Sequence, residues 1–174
     1  MLNKPRGLVT TRRDERGRGT VYDCLEGAGL PWVGPVGRLD QASEGLLLFS
    51  NDSAWAAGVT APGGGLRKRY HVQIDRIPDE PLLLRLRAGI EDRGELLSAR
   101  AVDVLRQGTR TAWLEIVLVE GRNRQIRRML AACGVEVLRL VRVAIGPLQL
   151  GDLARGSWRH LTADEVAMLR QGSA

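Results

Sequence analysis

The rhythm of apolar and polar positions changes several times along the chain, and each change marks an element. Leu46-Leu47-Leu48-Phe49 is an unbroken apolar run, the pattern of a strand buried on both faces. Residues 69–77 alternate instead: Tyr70, Val72 and Ile74 share one face and His71, Gln73 and Asp75 the other, which predicts a half-buried strand. Residues 99–105 and 111–119 read as an antiparallel pair, with Leu114, Ile116 and Leu118 on one face. Over residues 121–133 the period lengthens. Ile126, Met129, Leu130 and Cys133 recur at helical spacing, Arg124 and Arg128 lie opposite, and Arg127 sits on the flank, about 100° from Ile126.

Weaker signals fill the gaps. Residues 2–10, 31–36 and 136–145 read as strands. Thr20 can cap a short helix over residues 21–25, and Ser50 or Asn51 one that runs to about Val59. Residues 79–88 form a further helix, and Thr162 with Glu165 makes a capping box for the last. Ala61-Pro62-Gly63-Gly64-Gly65 is a breaker. Strands outnumber helices and often adjoin in sequence, so the expected class is α+β with a mixed, largely antiparallel sheet. There is no internal repeat and no evident linker. The 174 residues read as one domain, or as two small lobes on one core.

Composition narrows the function. No apolar run approaches the roughly 18 residues of a membrane helix, and the first residues lack the apolar stretch of a secretion signal. A cytoplasmic protein is the expectation. Cys24 and Cys133 are far apart and His71 and His160 are the only histidines, which argues against a disulfide framework or a zinc site. The net charge is +6, and only Lys4 and Lys68 among the 26 basic residues are lysines. Arginine forks onto phosphate and stacks on bases, which suits a polyanion partner. A GC-rich genome also favours arginine, so the placement of these residues has to decide.

Phosphate-loop and dinucleotide-binding motifs are missing, and no GxSxG elbow supports a triad around His160. Two features remain. Asp40 stands in the polar, glycine-bounded loop Gly37-Arg38-Leu39-Asp40-Gln41-Ala42-Ser43-Glu44-Gly45, just ahead of the buried strand. A carboxylate there can serve as a nucleophile, or it can simply cap a turn. The second feature is Glu120-Gly121-Arg122-Asn123-Arg124-Gln125-Ile126-Arg127-Arg128-Met129. It places four arginines in seven residues at a helix start, against the helix dipole. Phosphates or a buried carboxylate would offset that cost, and a solvated cationic face is the alternative.

These segments resemble the RsuA/RluB/RluE/RluF group of bacterial pseudouridine synthases. The matching motifs are Leu2-Asn3-Lys4-Pro5-Arg6-Gly7; Gly37-Arg38-Leu39-Asp40 with Ser43-Glu44-Gly45 and Asn51-Asp52; Lys68-Arg69-Tyr70-His71-Val72; and the arginine-rich segment. They occur in the expected order over residues 2 to about 147. The resemblance implies the pseudouridine synthase fold, with a catalytic cleft across the sheet. It implies isomerisation of a uridine in ribosomal RNA, with a large-subunit RNA favoured, and no metal or other cofactor. It makes Asp40 the nucleophile, Tyr70 the residue that packs on the target base, and Arg127 the partner of the catalytic carboxylate, which such a pair keeps ionised. The uridine must be flipped out to be reached, and basic residues around the cleft would make binding salt-dependent. Lys4, Arg6, Arg38, Lys68, Arg122, Asn123, Arg124, Gln125 and Arg128 are the expected RNA contacts.

Two departures qualify the resemblance. Ser43 stands where relatives usually carry Thr, and the chain starts directly in the catalytic domain, without the small N-terminal RNA-binding domain of many relatives. The expected partner is ribosomal RNA or a ribosomal subunit precursor, the expected state a monomer. Two rival readings are a non-catalytic RNA-binding or ribosome-assembly factor on the same fold, and an unrelated hydrolase using Asp40. Asp40, Tyr70 and Arg127 together speak against the first, and the missing metal-ligand cluster against the second.

Overall fold

A computed structural model describes residues 1–61 and 66–171. In chain order the elements are β1 (Leu2–Lys4), a 3-10 helix (Val21–Leu25), β2 (Gly34–Val36), β3 (Glu44–Ser50), α1 (Ser53–Thr60), β4 (Lys68–Ile74), α2 (Glu80–Ala88), β5 (Ile90–Asp92), β6 (Glu95–Leu97), β7 (Ala101–Gln107), β8 (Ala112–Leu118), α3 (Gln125–Ala132), β9 (Val137–Ile145), β10 (Leu148–Gln149) and α4 (Ala163–Gln171). The class is α+β, as expected. The chain divides into two compact units, residues 1–66 with 142–174, and residues 67–141.

In the first unit β3 is the centre. It pairs antiparallel with β1 and with β2, and β9 ends in an antiparallel pair with β10. Leu46, Leu47 and Leu48 are all fully buried, which explains the absence of alternation in this strand. Asp52 caps α1 by accepting from the Trp55 N–H at 2.9 Å, one or two residues beyond the cap expected from sequence. Thr20 caps the short helix with Asp23 in a capping box, and Thr162 and Glu165 form the box expected at α4. Residues 62–65 of the predicted breaker lie outside the described residues.

In the second unit β8 is the middle strand of the antiparallel order β4-β8-β7. Tyr70, Val72 and Ile74 are buried, as are Leu114, Ile116 and Leu118, so both predicted faces are as read. Helices α2 and α3 bring Leu82, Leu83, Leu86, Ile126, Met129 and Leu130 to the unit's core. The sequence reading missed the hairpin β5–β6. Its two-residue turn, Arg93-Gly94, has φ of 55° and 76°, the paired positive angles that suit a tight hairpin turn. The cue was present as Asp92-Arg93-Gly94-Glu95 between Ile90 and Leu97, but strands of three residues carry almost no periodicity.

Helix α3 begins at Gln125, four residues later than the period suggested. Arg124 occupies the left-handed region at φ 49° and ψ 31°, which an unbranched side chain tolerates at a cost of about 1 kcal/mol. Arg122 and Arg124 therefore precede the helix, and only Arg127 and Arg128 stand in its first turn.

Candidate active site

In the first unit, the loop after β2 carries Asp40, which is half-buried and sits between buried Leu39 and exposed Gln41. The loop closes on itself through the Ser43 N–H, which donates to Asp40 O at 2.9 Å. The N-terminal segment lies against it at three points. Thr10 Oγ1 donates to Leu39 O at 2.6 Å and accepts from the Leu39 N–H at 3.3 Å. The Gly7 N–H donates to Gln41 O at 2.8 Å, and Gln41 Nε2 donates to Gly7 O at 3.0 Å. Lys4 Nζ donates to Ser43 O at 2.8 Å and to Pro5 O at 3.0 Å.

The far end of the loop is fixed by Gly45, at φ 103°. A Cβ there would lie 2.2 Å from the carbonyl oxygen of Arg142 in β9, so only glycine fits. Arg142 is itself buried and donates from Nε to Leu46 O at 2.8 Å. Glu44 is 3% exposed and meets Arg155 Nη2 at 3.4 Å.

Lys4 is fully buried, not the surface RNA contact expected from sequence. Burial pushes its ammonium down from 10.5 to about 8, while the carboxylates of Glu44 and Asp40 pull the other way. The lysine is thus an interior cation beside the loop. Arg6 and Arg38 are exposed.

In the second unit, Tyr70 is buried in β4 opposite Ile116 of β8, and Lys68 is half-buried at the strand's start opposite Leu118. Arg127 is half-buried in α3, with Nη1 donating to Val137 O at 3.4 Å. Its neighbours have structural partners that the sequence did not announce. Arg128 Nε meets Asp92 Oδ2 at 2.6 Å, Nη1 meets Glu95 Oε2 at 2.6 Å, and Nη2 donates to Asp92 O at 3.0 Å. Arg122 Nε meets Glu120 Oε2 at 3.0 Å and its Nη1 meets Glu95 Oε1 at 3.4 Å. These hydrogen bonds hold the Glu95 carboxyl below its usual range and raise both guanidinium groups.

Gln125 is 3% exposed, so it too presents no surface to RNA. It knits the turn before α3: Oε1 accepts from the Arg122 N–H at 3.1 Å, and Nε2 donates to Ser98 O at 3.0 Å and Glu120 Oε1 at 3.3 Å. Among the expected RNA contacts, Lys4, Gln125 and Arg128 are therefore drawn inward. Arg122, Asn123 and Arg124 remain exposed. Sequence reading also passed over Thr10, Asp92 and Glu95. Thr10 had no motif to announce it, and the two acids are found only once the β5–β6 turn is placed.

Among the described residues, no group of three or more His, Cys, Asp or Glu side chains could hold a metal ion, and no helix is long and apolar enough to cross a membrane.

Comparison with known proteins agrees with the motifs. A family model for RNA pseudouridylate synthase matches residues 1–132. The chain is 37% identical over 175 residues to ribosomal large subunit pseudouridine synthase E of Vibrio parahaemolyticus, covering 92% of this chain and 72% of that protein. It is 37% identical over 173 residues to ribosomal large subunit pseudouridine synthase B of Bacillus subtilis, covering 98% of this chain and 70% of that one. A crystal structure of a pseudouridylate synthase superposes with a TM-score of 0.82 at 31% identity, over 97% of this chain and 71% of that chain.

Proposed function

The chain belongs to the RNA pseudouridylate synthase family and has its fold, and on that premise we propose that it isomerises a uridine of ribosomal RNA to pseudouridine with Asp40 as nucleophile. The observation that carries this is the Asp40 loop itself. It is a polar turn held by the N-terminal segment, inside a family match that also contains Tyr70 and Arg127. Relatives whose names specify the ribosomal large subunit support that RNA as the substrate class. Tyr70 and Arg127 keep the roles the resemblance assigns them. Both compact units together make the catalytic domain, acting as a cytoplasmic monomer.

The chemistry conserves its atoms. The glycosidic bond to N1 breaks, a bond from the sugar to C5 forms, C5 gives up its proton and N1 gains one. A carboxylate can carry such a rearrangement by holding one fragment covalently while the base turns. The target base has to leave the RNA stack first. Exposed Arg6, Arg38, Arg122 and Arg124 supply the cationic surface for the backbone, with Asn123 beside them, so affinity falls with salt.

Pseudouridine mapping of ribosomal RNA from cells with and without the gene tests the proposal. One site is expected to disappear on deletion, to return with the wild-type gene and to stay absent with Asp40→Asn. An unchanged ribosomal RNA map would refute the substrate, and full complementation by Asp40→Asn would refute the nucleophile.

A further inference from the structure

Thr10 belongs to none of the motifs that carried the family resemblance, yet it holds the residue next to Asp40. A hydroxyl both donates and accepts, and this one does both to the same residue. It engages the C=O of Leu39 at 2.6 Å and its N–H at 3.3 Å. Leu39 is only 7% exposed, so without Thr10 these backbone groups would lose a partner in a place that water reaches poorly.

The other two contacts continue the pattern. Gly7, at φ 102°, exchanges two hydrogen bonds with Gln41. Lys4 reaches Ser43. The segment from Lys4 to Thr10 therefore grips residues 39, 41 and 43, alternate positions on both sides of Asp40. None of these bonds uses the Asp40 carboxylate.

Such a grip matters to a nucleophile. Ordering loop backbone costs conformational entropy, which each hydrogen bond offsets in part. A loop secured before the RNA arrives spares the reaction that ordering. A misplacement of about 1 Å at a reacting group can cost about 100-fold in rate.

We infer that Thr10 is a positioning residue for the isomerisation: with the Gly7–Gln41 pair and Lys4, its hydroxyl fixes the backbone on both sides of Asp40 and so sets the carboxylate in attacking geometry. This rests on Asp40 being the nucleophile. Thr10 touches neither RNA nor the reacting atoms in this role. It acts through Leu39.

The test is a single-turnover assay on a large-subunit ribosomal RNA transcript tritiated at uridine C5, with release of tritium as the readout. RNA affinity and melting temperature are measured on the same samples. Thr10→Val keeps the shape and loses the hydroxyl, whereas Thr10→Ser keeps the hydroxyl. Thr10→Val is expected to lower the saturating rate by about tenfold or more, with RNA affinity within about twofold of wild type. Thr10→Ser is expected to restore the rate. A wild-type rate in Thr10→Val, equal losses in both variants, or a loss confined to affinity or melting temperature would overturn the inference. Asp40→Asn run alongside separates the two claims: a silent Asp40→Asn with an unaffected Thr10→Val removes the clamp alone, while an active Asp40→Asn removes the nucleophile and the clamp with it.

Discussion

The loop that carries Asp40 and the turn that leads into α3 are held by different means. Residues 37–45 are fixed through hydrogen bonds to backbone, from Thr10, Gly7, Gln41 and one buried ammonium, and by the backbone of β9 pressed against Gly45. The turn before α3 adds to the hydrogen bonds of Gln125 a set of ion pairs among Arg122, Arg128, Asp92, Glu95 and Glu120. The difference follows from what each must present. In the proposed mechanism the attacking carboxylate is held through the backbone on either side of it. A cluster of arginines needs carboxylates among it to relieve mutual repulsion, and those that remain exposed can still face a polyanion.

The contrast can be broken hardest at the first loop. Asp40→Asn is expected to reduce pseudouridine formation by about 1,000-fold or more while leaving RNA affinity within a few-fold of wild type, checked by tritium release and filter binding. Gly45→Ala acts on the fold. With 2.2 Å between the new Cβ and Arg142 O, β3 and β9 cannot keep their spacing, and urea unfolding should show a loss of about 4 kcal/mol or more. In the second unit, Arg128→Met removes the shortest ion-pair partner of both Asp92 and Glu95, leaving Arg122 on Glu95. The expected result is a lower melting temperature whose deficit shrinks in 1 M salt, where screening weakens the wild-type pairs (about 3 Å Debye length). A Thr10→Val deficit should not respond to salt in that way, because no charge is involved.

Smaller effects sharpen the same distinction. Arg38→Ala, which removes one exposed cation from the proposed RNA surface, is expected to lower the salt slope of RNA binding by about 1. Acid should weaken ion pairs in both units. Glu165 is held at about 2 by Arg159, at 2.6 and 2.8 Å, against an ordinary value of 4.5. Its contribution is thus present above pH 4.5 and is lost as pH falls from 4.5 towards 2. Melting temperatures of wild type and Glu165→Gln should differ at pH 6 and converge by about pH 2. The Glu95 carboxyl, lowered by Arg128, should add a loss of the same sign in the second unit.

The chain by itself determined where its buried strand runs, which residues of β4 and β8 face inward, and which loop holds the candidate nucleophile. Each of these is a local property: a continuous apolar run, an alternation, a glycine-bounded polar turn. The motifs, being contiguous, also named Asp40, Tyr70 and Arg127. What only the tertiary structure decided is which charged and polar groups are spent inside. Lys4 and Gln125 looked like surface contacts, but neither has a sequence neighbour that could show its burial; Ser43 and Ser98, which receive their hydrogen bonds, lie 39 and 27 residues away. Thr10 and Leu39 are likewise 29 residues apart, and Arg128 and Asp92 are 36 apart. A hydrogen bond or an ion pair acts over about 3 Å in space and has no periodicity along the chain, so its partners are known only once the fold has brought them together.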